Sequence, residues 1–126
     1  MIFDIDVINW AERGNPNAID VIAQQTSRHV SVQTYLELLQ EAQNRKQQDG
    51  IKAFLRDLGF SILPLTQEVG HRACVYIDQF ALSHGLRSGD ALIAATASES
   101  GLPLCSGNRK HYSCLSDVKL LVFVPA

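Results

Sequence analysis

Only three cysteines occur in the chain, Cys74, Cys105 and Cys114, and no two are spaced as Cys-x-x-Cys. An odd, unpatterned count supplies neither a disulfide framework nor a zinc knuckle, so the expected compartment is a reducing one. Positive charge is not in excess either: eleven Lys and Arg stand against thirteen Asp and Glu, a formal net charge of -2. That excludes the global field of a non-specific, high-affinity nucleic-acid coat, while leaving room for an enzyme that touches a short piece of a strand. No stretch approaches the ~20 apolar residues that span a bilayer, and Met1-Ile2-Phe3-Asp4 lacks the basic start and long apolar run of a secretion signal. The expectation is a soluble, cytoplasmic protein with no membrane partner. Repeats, linkers and low-complexity tracts are also lacking. What remains, 126 residues with 46% hydrophobic and 19% charged content, suits one domain over residues 1–126 with a single sizeable core.

The stretch from His84 to Ala97 organises the rest. A polar turn with Gly85 and Gly89 runs into Ala91, Leu92, Ile93, Ala94, Ala95 and Ala97, which leave the helix no polar face for a turn and a half. Such a helix must be buried on most sides, with Ser88 as its expected N-cap and Asp90 in its first turn. The positive end of the helix dipole explains part of that placement, and burial aims the carboxylate into a cleft.

In chain order, Ile2 to Ile5 reads as a short buried strand, with Asp4 and Asp6 at the strand-to-helix turn that follows. Asn15 before Pro16 opens a second helix. A strand over residues 28–32 precedes a helix over residues 34–47, capped by Ser31 or Gln33, with Glu37 in its first turns and Glu41 one turn on. Asp49-Gly50 is expected to break that pattern before another helix over 51–58. Phe60 to Leu65 reads as a strand, Thr66 as the cap of a long helix stopped by Gly85, Leu102 to Cys105 as a strand, Ser106 to Tyr112 as a polar segment, and Lys119 to Val124 as the last strand. Strands separated by helices argue for a parallel sheet covered on both faces.

Three carboxylates, Asp4, Glu37 and Asp90, stand in apolar contexts near expected strand or helix ends. Two unit charges about 4 Å apart repel by roughly 4 kcal/mol near a protein surface, so acids brought together need a positive partner. A hard divalent cation, Mg²⁺ or Mn²⁺, fits carboxylates and phosphate alike, and the chemistry it points to is phosphodiester hydrolysis. Residue types and spacing alone leave a second account equally open, in which Asp4 and Asp90 cap helices and Glu37 lies on a solvated face.

Four segments, Phe3-Asp4-Ile5-Asp6-Val7-Ile8, Ser31-Val32-Gln33-Thr34-Tyr35-Leu36-Glu37-Leu38, Gly85 to Ala97, and Gly101-Leu102-Pro103-Leu104, together resemble the PIN-domain family, and within it the VapC-like toxin ribonucleases. The resemblance runs nearly end to end. It implies a three-layer α/β/α PIN-like fold with a central parallel sheet, a metal-dependent endoribonuclease using Mg²⁺ or Mn²⁺ on an RNA substrate, a cognate antitoxin protein and a homodimer. It implies Asp4, Glu37 and Asp90 as metal-binding catalytic acids and matches Thr34 to a threonine three residues before the glutamate. Two positions depart from the family pattern: Ile5 replaces a hydroxyl residue, and Ser106-Gly107-Asn108 replaces a Thr-x-Asp or Thr-x-Asn stretch, leaving an asparagine as the fourth, weaker group.

Asp6 reads either as a further ligand or as a helix-opening aspartate. Arg87 and Arg109 flank the acids and are the candidate RNA contacts, while His111 either protonates a leaving oxygen, joins the metal or stands exposed in its loop. Two other functions compete. One is a degenerate PIN domain binding RNA or protein without cutting. The other is a phosphoacceptor regulatory domain, which needs an acid after the third strand where Pro64-Leu65-Thr66 offers none.

Overall fold

A computed structural model describes all of residues 1–126. Five strands form one all-parallel sheet: β1 (Ile2–Phe3), β2 (His29–Ser31), β3 (Ser61–Leu63), β4 (Leu104–Ser106) and β5 (Leu120–Val122), in the spatial order β3-β2-β1-β4-β5. Seven helices connect and cover them: α1 (Ile5–Glu12), α2 (Pro16–Ala23), α3 (Val32–Glu41), α4 (Arg45–Asp57), α5 (Gln67–His84), α6 (Ser88–Ser100) and α7 (Arg109–Tyr112). Alternation along the strands makes three layers, since successive side chains point to opposite faces. Ile2 and Leu104 join Val69, Ala73 and the alanines of α6 in one core, whereas Phe3 and Cys105 join Val7, Ile8, Ile22, Leu38 and Leu55 in the other. This is the three-layer α/β/α architecture expected from the sequence.

Several expected caps are in place. Asn15 accepts from the Ala18 amide, Ser31 from Thr34 and Thr66 from Val69, and Gly85 ends α5 at φ 68°. Three expectations are corrected. The helix over residues 34–47 is two helices, because the chain turns extended at Ala42 and Asn44 caps a new start by accepting from the Gln47 amide. Asp49-Gly50 lies inside α4 rather than breaking it; Gly50 costs about 1 kcal/mol in a helix interior, and burial of Ile51 and Leu55 outweighs it. Ser88 is the first residue of α6, not its cap: Arg87 holds that position and makes no side-chain cap bond, which leaves the amides of the first turn open. The polar segment after β4 also contains the one-turn helix α7.

The strand order places the reversal of winding between β1 and β4. The chain runs outward from β1 through β2 to β3, then returns to build β4 and β5 on the other side. In open parallel sheets the crevice at the carboxyl ends of such a pair is where ligands collect. The residues that emerge there are Asp4, after β1, and Ser106, at the end of β4.

Candidate functional site

Pairing of Phe3 with Cys105 brings Asp4 beside Ser106, and the Asp4 amide donates to the Cys105 carbonyl at 3.0 Å. Asp4 is 5% exposed. One carboxylate oxygen, Oδ1, accepts from the Ile5 amide at 2.8 Å and so caps α1; the other, Oδ2, accepts from Ser106 Oγ at 2.7 Å and from the Tyr112 hydroxyl at 3.1 Å. These donors favour the anion, yet burial dominates and pushes the Asp4 carboxyl up to about 6, with Asp6 adding repulsion.

Asp90 enters from the mouth of α6. The Tyr112 hydroxyl that reaches Asp4 is also 3.4 Å from Asp90 Oδ1, so both acids meet at one phenol oxygen. Asp90 Oδ2 lies 2.7 Å from His111 Nδ1, an ion pair when the imidazole is protonated. Asn108 approaches the same nitrogen at 3.0 Å. The contacting atom of Asn108 is Nδ2, so the ring nitrogen accepts from Asn108 when it carries no proton and donates to Asp90 when it does. Asn108 thus stands one contact away from Asp90, through His111.

Glu37 reaches the same helix mouth from α3. Its Oε1 accepts from Gln33 Nε2 at 2.9 Å and lies 3.3 Å from where a Cβ on Gly89 would stand, so the missing side chain at Gly89 permits the approach. Glu37 is half-buried and makes no direct bond to Asp4 or Asp90; no three His, Cys, Asp or Glu side chains close into a cage for an ion. Thr34 is fully buried, with its hydroxyl accepting from Ser31 Oγ at 3.2 Å, which makes it part of the α3 cap.

Asp6 is more than a helix-opening residue. Its Oδ2 accepts from the Gly107 amide at 2.8 Å, fastening α1 to the segment that carries Ser106, Asn108, His111 and Tyr112. A Cβ on Gly107 would sit 2.7 Å from that Asp6 oxygen and 3.2 Å from the Phe123 carbonyl, so the position needs glycine for space. Burial raises the Asp6 carboxyl as well. Arg87 and Arg109 are exposed near the rim and pair with none of the acids.

The local field is strongly negative. Burial first, and then Asp6 and Asp4, push the Cys105 thiol up to about 12; burial and the neighbouring acids likewise hold Tyr112 well above the usual phenol range. No Lys or Arg forms an ion pair with Asp4, Asp6, Glu37 or Asp90. The carboxylate oxygens of Asp4 and Asp90, with no Lys or Arg paired to them and Glu37 outside a closed cage, are the donor type a hard divalent ion takes while keeping several waters. Tyr112 and Gly107 are the two site residues that residue-by-residue reading of the sequence misses. The available signal was an aromatic with a polar tip directly after His111 in an otherwise polar segment.

The sequence model of the PIN domain family matches residues 1–113. No curated protein sequence matches the chain. Among solved structures, a chain of a toxin–antitoxin complex from Klebsiella pneumoniae is similar at TM-score 0.80 and 21% identity, with 99% of this chain and 97% of that chain covered. FitAcB from Neisseria gonorrhoeae is similar at TM-score 0.74 and 24% identity, covering 98% and 96%. VapBC2 from Rickettsia felis, bound to a DNA fragment from its promoter, is similar at TM-score 0.77 and 18% identity, covering 98% and 100%. At these identities the likeness is one of fold.

Proposed function

The chain belongs to the PIN domain family, and from that premise we propose that it is a metal-dependent endoribonuclease, the toxin of a toxin–antitoxin pair, with residues 1–126 acting as one domain. One observation carries the reading: Asp4 and Asp90 meet at the Tyr112 hydroxyl in the crevice between β1 and β4, Glu37 reaches the same helix mouth, and no Lys or Arg neutralises them. Asp4, Asp90 and Glu37 would hold Mg²⁺ or Mn²⁺. When bound, such a cation supplies charge stabilisation for the phosphodiester and a more acidic attacking water.

The remaining steps belong to this chain's own groups. The Ile5 amide and Ser106 hydroxyl fix the orientation of Asp4, and Gln33 fixes that of Glu37. His111 stands next to Asp90, where a protonated ring would offer a proton toward a departing oxygen. Arg87 and Arg109, exposed at the rim, would contact RNA phosphates, which position a strand without reading its sequence. A net charge of -2 accords with a short contact of this kind.

The antitoxin would seat an apolar segment in a cleft of about 200 Å³ between α1, α2 and α4, lined by Ala11, Ile19, Ile22, Ala23, Phe54 and Leu58 together with Arg28. Homodimerisation is part of the reading; Val75 and the fully exposed Leu82 on α5 offer apolar surface to a second copy. A second reading, a PIN domain that binds RNA or protein without cutting, draws on Ile5, an alkyl residue next to Asp4, and on Asn108, a neutral amide against His111. The deciding experiment is Mn²⁺-dependent cleavage of RNA by the wild type and by Asp90→Asn. Loss of more than about 100-fold in the variant supports the nuclease, since even partners behind the ligands are worth 10–100-fold. Equal cleavage by both proteins overturns it, and no cleavage by the wild type selects the binding module.

A further inference from the structure

Tyr112 is 1% exposed, yet its hydroxyl hydrogen-bonds only to acids: Asp4 Oδ2 at 3.1 Å and Asp90 Oδ1 at 3.4 Å. A phenol has one proton to give, so two carboxylates share a single donor. An ordinary phenol keeps that proton at neutral pH. An ionised carboxylate offers about four lone-pair sites, and Asp4 already spends three of them, on Ile5, Ser106 and Tyr112. Both sites on Oδ2 are taken. Only one direction, on Oδ1, remains free.

We propose that the Tyr112 hydroxyl is a built-in competitor for divalent cations: it occupies the bridging position between Asp4 Oδ2 and Asp90 Oδ1 and must give way before a cation can bridge those two oxygens. The inference rests on the proposed metal site, and it adds a residue that sets the concentration at which that site loads. Asp4 Oδ2 has no lone pair left while it accepts from both Ser106 and Tyr112, so a cation takes that oxygen only in place of one of these hydrogen bonds. Adjacent residues of α7 act in concert, His111 on one oxygen of Asp90 and Tyr112 on the other. Tyr112 is thereby a positioning residue in the cation-free protein, holding the two acids in register.

Tyr112→Phe removes the competing donor while keeping the buried ring. Calorimetric titration with Mn²⁺ at fixed pH is expected to show the variant binding about tenfold tighter than the wild type, the equivalent of one hydrogen bond to a charged group. Asp90→Asn should bind with neither affinity. Damage to the fold would weaken binding, so tightening is a signature that a purely structural role does not produce. A folded Tyr112→Phe whose affinity equals or falls below that of a metal-binding wild type overturns the proposal and leaves the metal site standing. If neither protein binds Mn²⁺, the metal site itself fails and the competitor with it. An independent measurement needs no variant: saturating the wild type with Mn²⁺ should shift its near-ultraviolet tyrosine absorption as the hydroxyl loses a carboxylate acceptor, and an unchanged spectrum at saturation also overturns the proposal.

Discussion

Asp4→Asn should remove a pH-dependent cost that the metal-free protein carries at neutral pH. Burial raises the Asp4 carboxyl from 3.8 to about 6, so between about pH 4 and about pH 6 the folded protein keeps a proton that the unfolded chain has released. Stability must therefore fall as pH rises through that window, and the full cost of the buried anion is in place above it. The difference between the two values corresponds to about 3 kcal/mol. Asparagine keeps an oxygen for the Ile5 amide and carries no charge. Any constant cost of the substitution cancels when the wild-type-to-variant difference at pH 8 is compared with that at pH 4. Urea unfolding in EDTA should show this double difference as about 2–3 kcal/mol in favour of the variant, a midpoint change of roughly 1–2 M.

Mn²⁺ should offset that cost. A cation at 100 times its Kd stabilises the protein that binds it by about 2.7 kcal/mol, enough to restore the wild type to parity at pH 8 while leaving Asp4→Asn unmoved. Parallel pH profiles for the two proteins in EDTA would refute the reasoning, because they would mean that the Asp4 anion is not desolvated in the fold.

Gly107→Ala should cost about 1–3 kcal/mol in urea unfolding, since its Cβ would meet Asp6 Oδ2 at 2.7 Å and the Phe123 carbonyl at 3.2 Å; an unchanged midpoint would mean the segment shifts freely. Asn108→Asp should tighten Mn²⁺ binding in calorimetry by adding a charge next to His111, and Asn108→Ala should impair RNA cleavage less than Asp90→Asn. Affinity unmoved by Asn108→Asp would remove this residue from the site. Phe54→Glu should weaken antitoxin capture by tenfold or more in a binding titration, because it places a charge in an apolar cleft. Undiminished capture would take the cleft out of the interface.

Much of the frame was legible wherever a local rule sufficed. Asn15 before Pro16, Thr66 three residues before Val69, and Gly85 at a positive φ each announce a helix end through groups within one turn. The alternation that sends Ile2 to one core and Phe3 to the other is also local. The α3–α4 break was hidden because its cause, Asn44 capping a new start after an extended Ala42, competes with a glutamine-rich run that has good helix propensity on both sides. Asp4 at a strand-to-helix turn could be read from the sequence. That Asp4 and Asp90 share a phenol could not, because Tyr112 reaches them only after β4 has paired with β1 and turned into α7.

That dependence sets an order among the interactions that hold the site. Residues 4–6 and 106–112 lie about a hundred positions apart, and what joins them is a two-residue strand, the Asp4–Cys105 backbone bond, and the Asp6–Gly107, Ser106–Asp4 and Tyr112–Asp4 contacts. The acids themselves oppose the junction, since Asp4 and Asp6 are both raised by burial and repel one another. The free energy that keeps them together must come from elsewhere: from Ile2, Phe3, Leu104 and Cys105, each fully buried against helices on one face or the other. The site is therefore a charged seam imposed by two apolar cores. Loosening β1 against β4 would release the acids while α5 and α6 remain packed together, so the local stability of this seam, rather than that of the whole fold, decides whether the carboxylates are held ready for a cation.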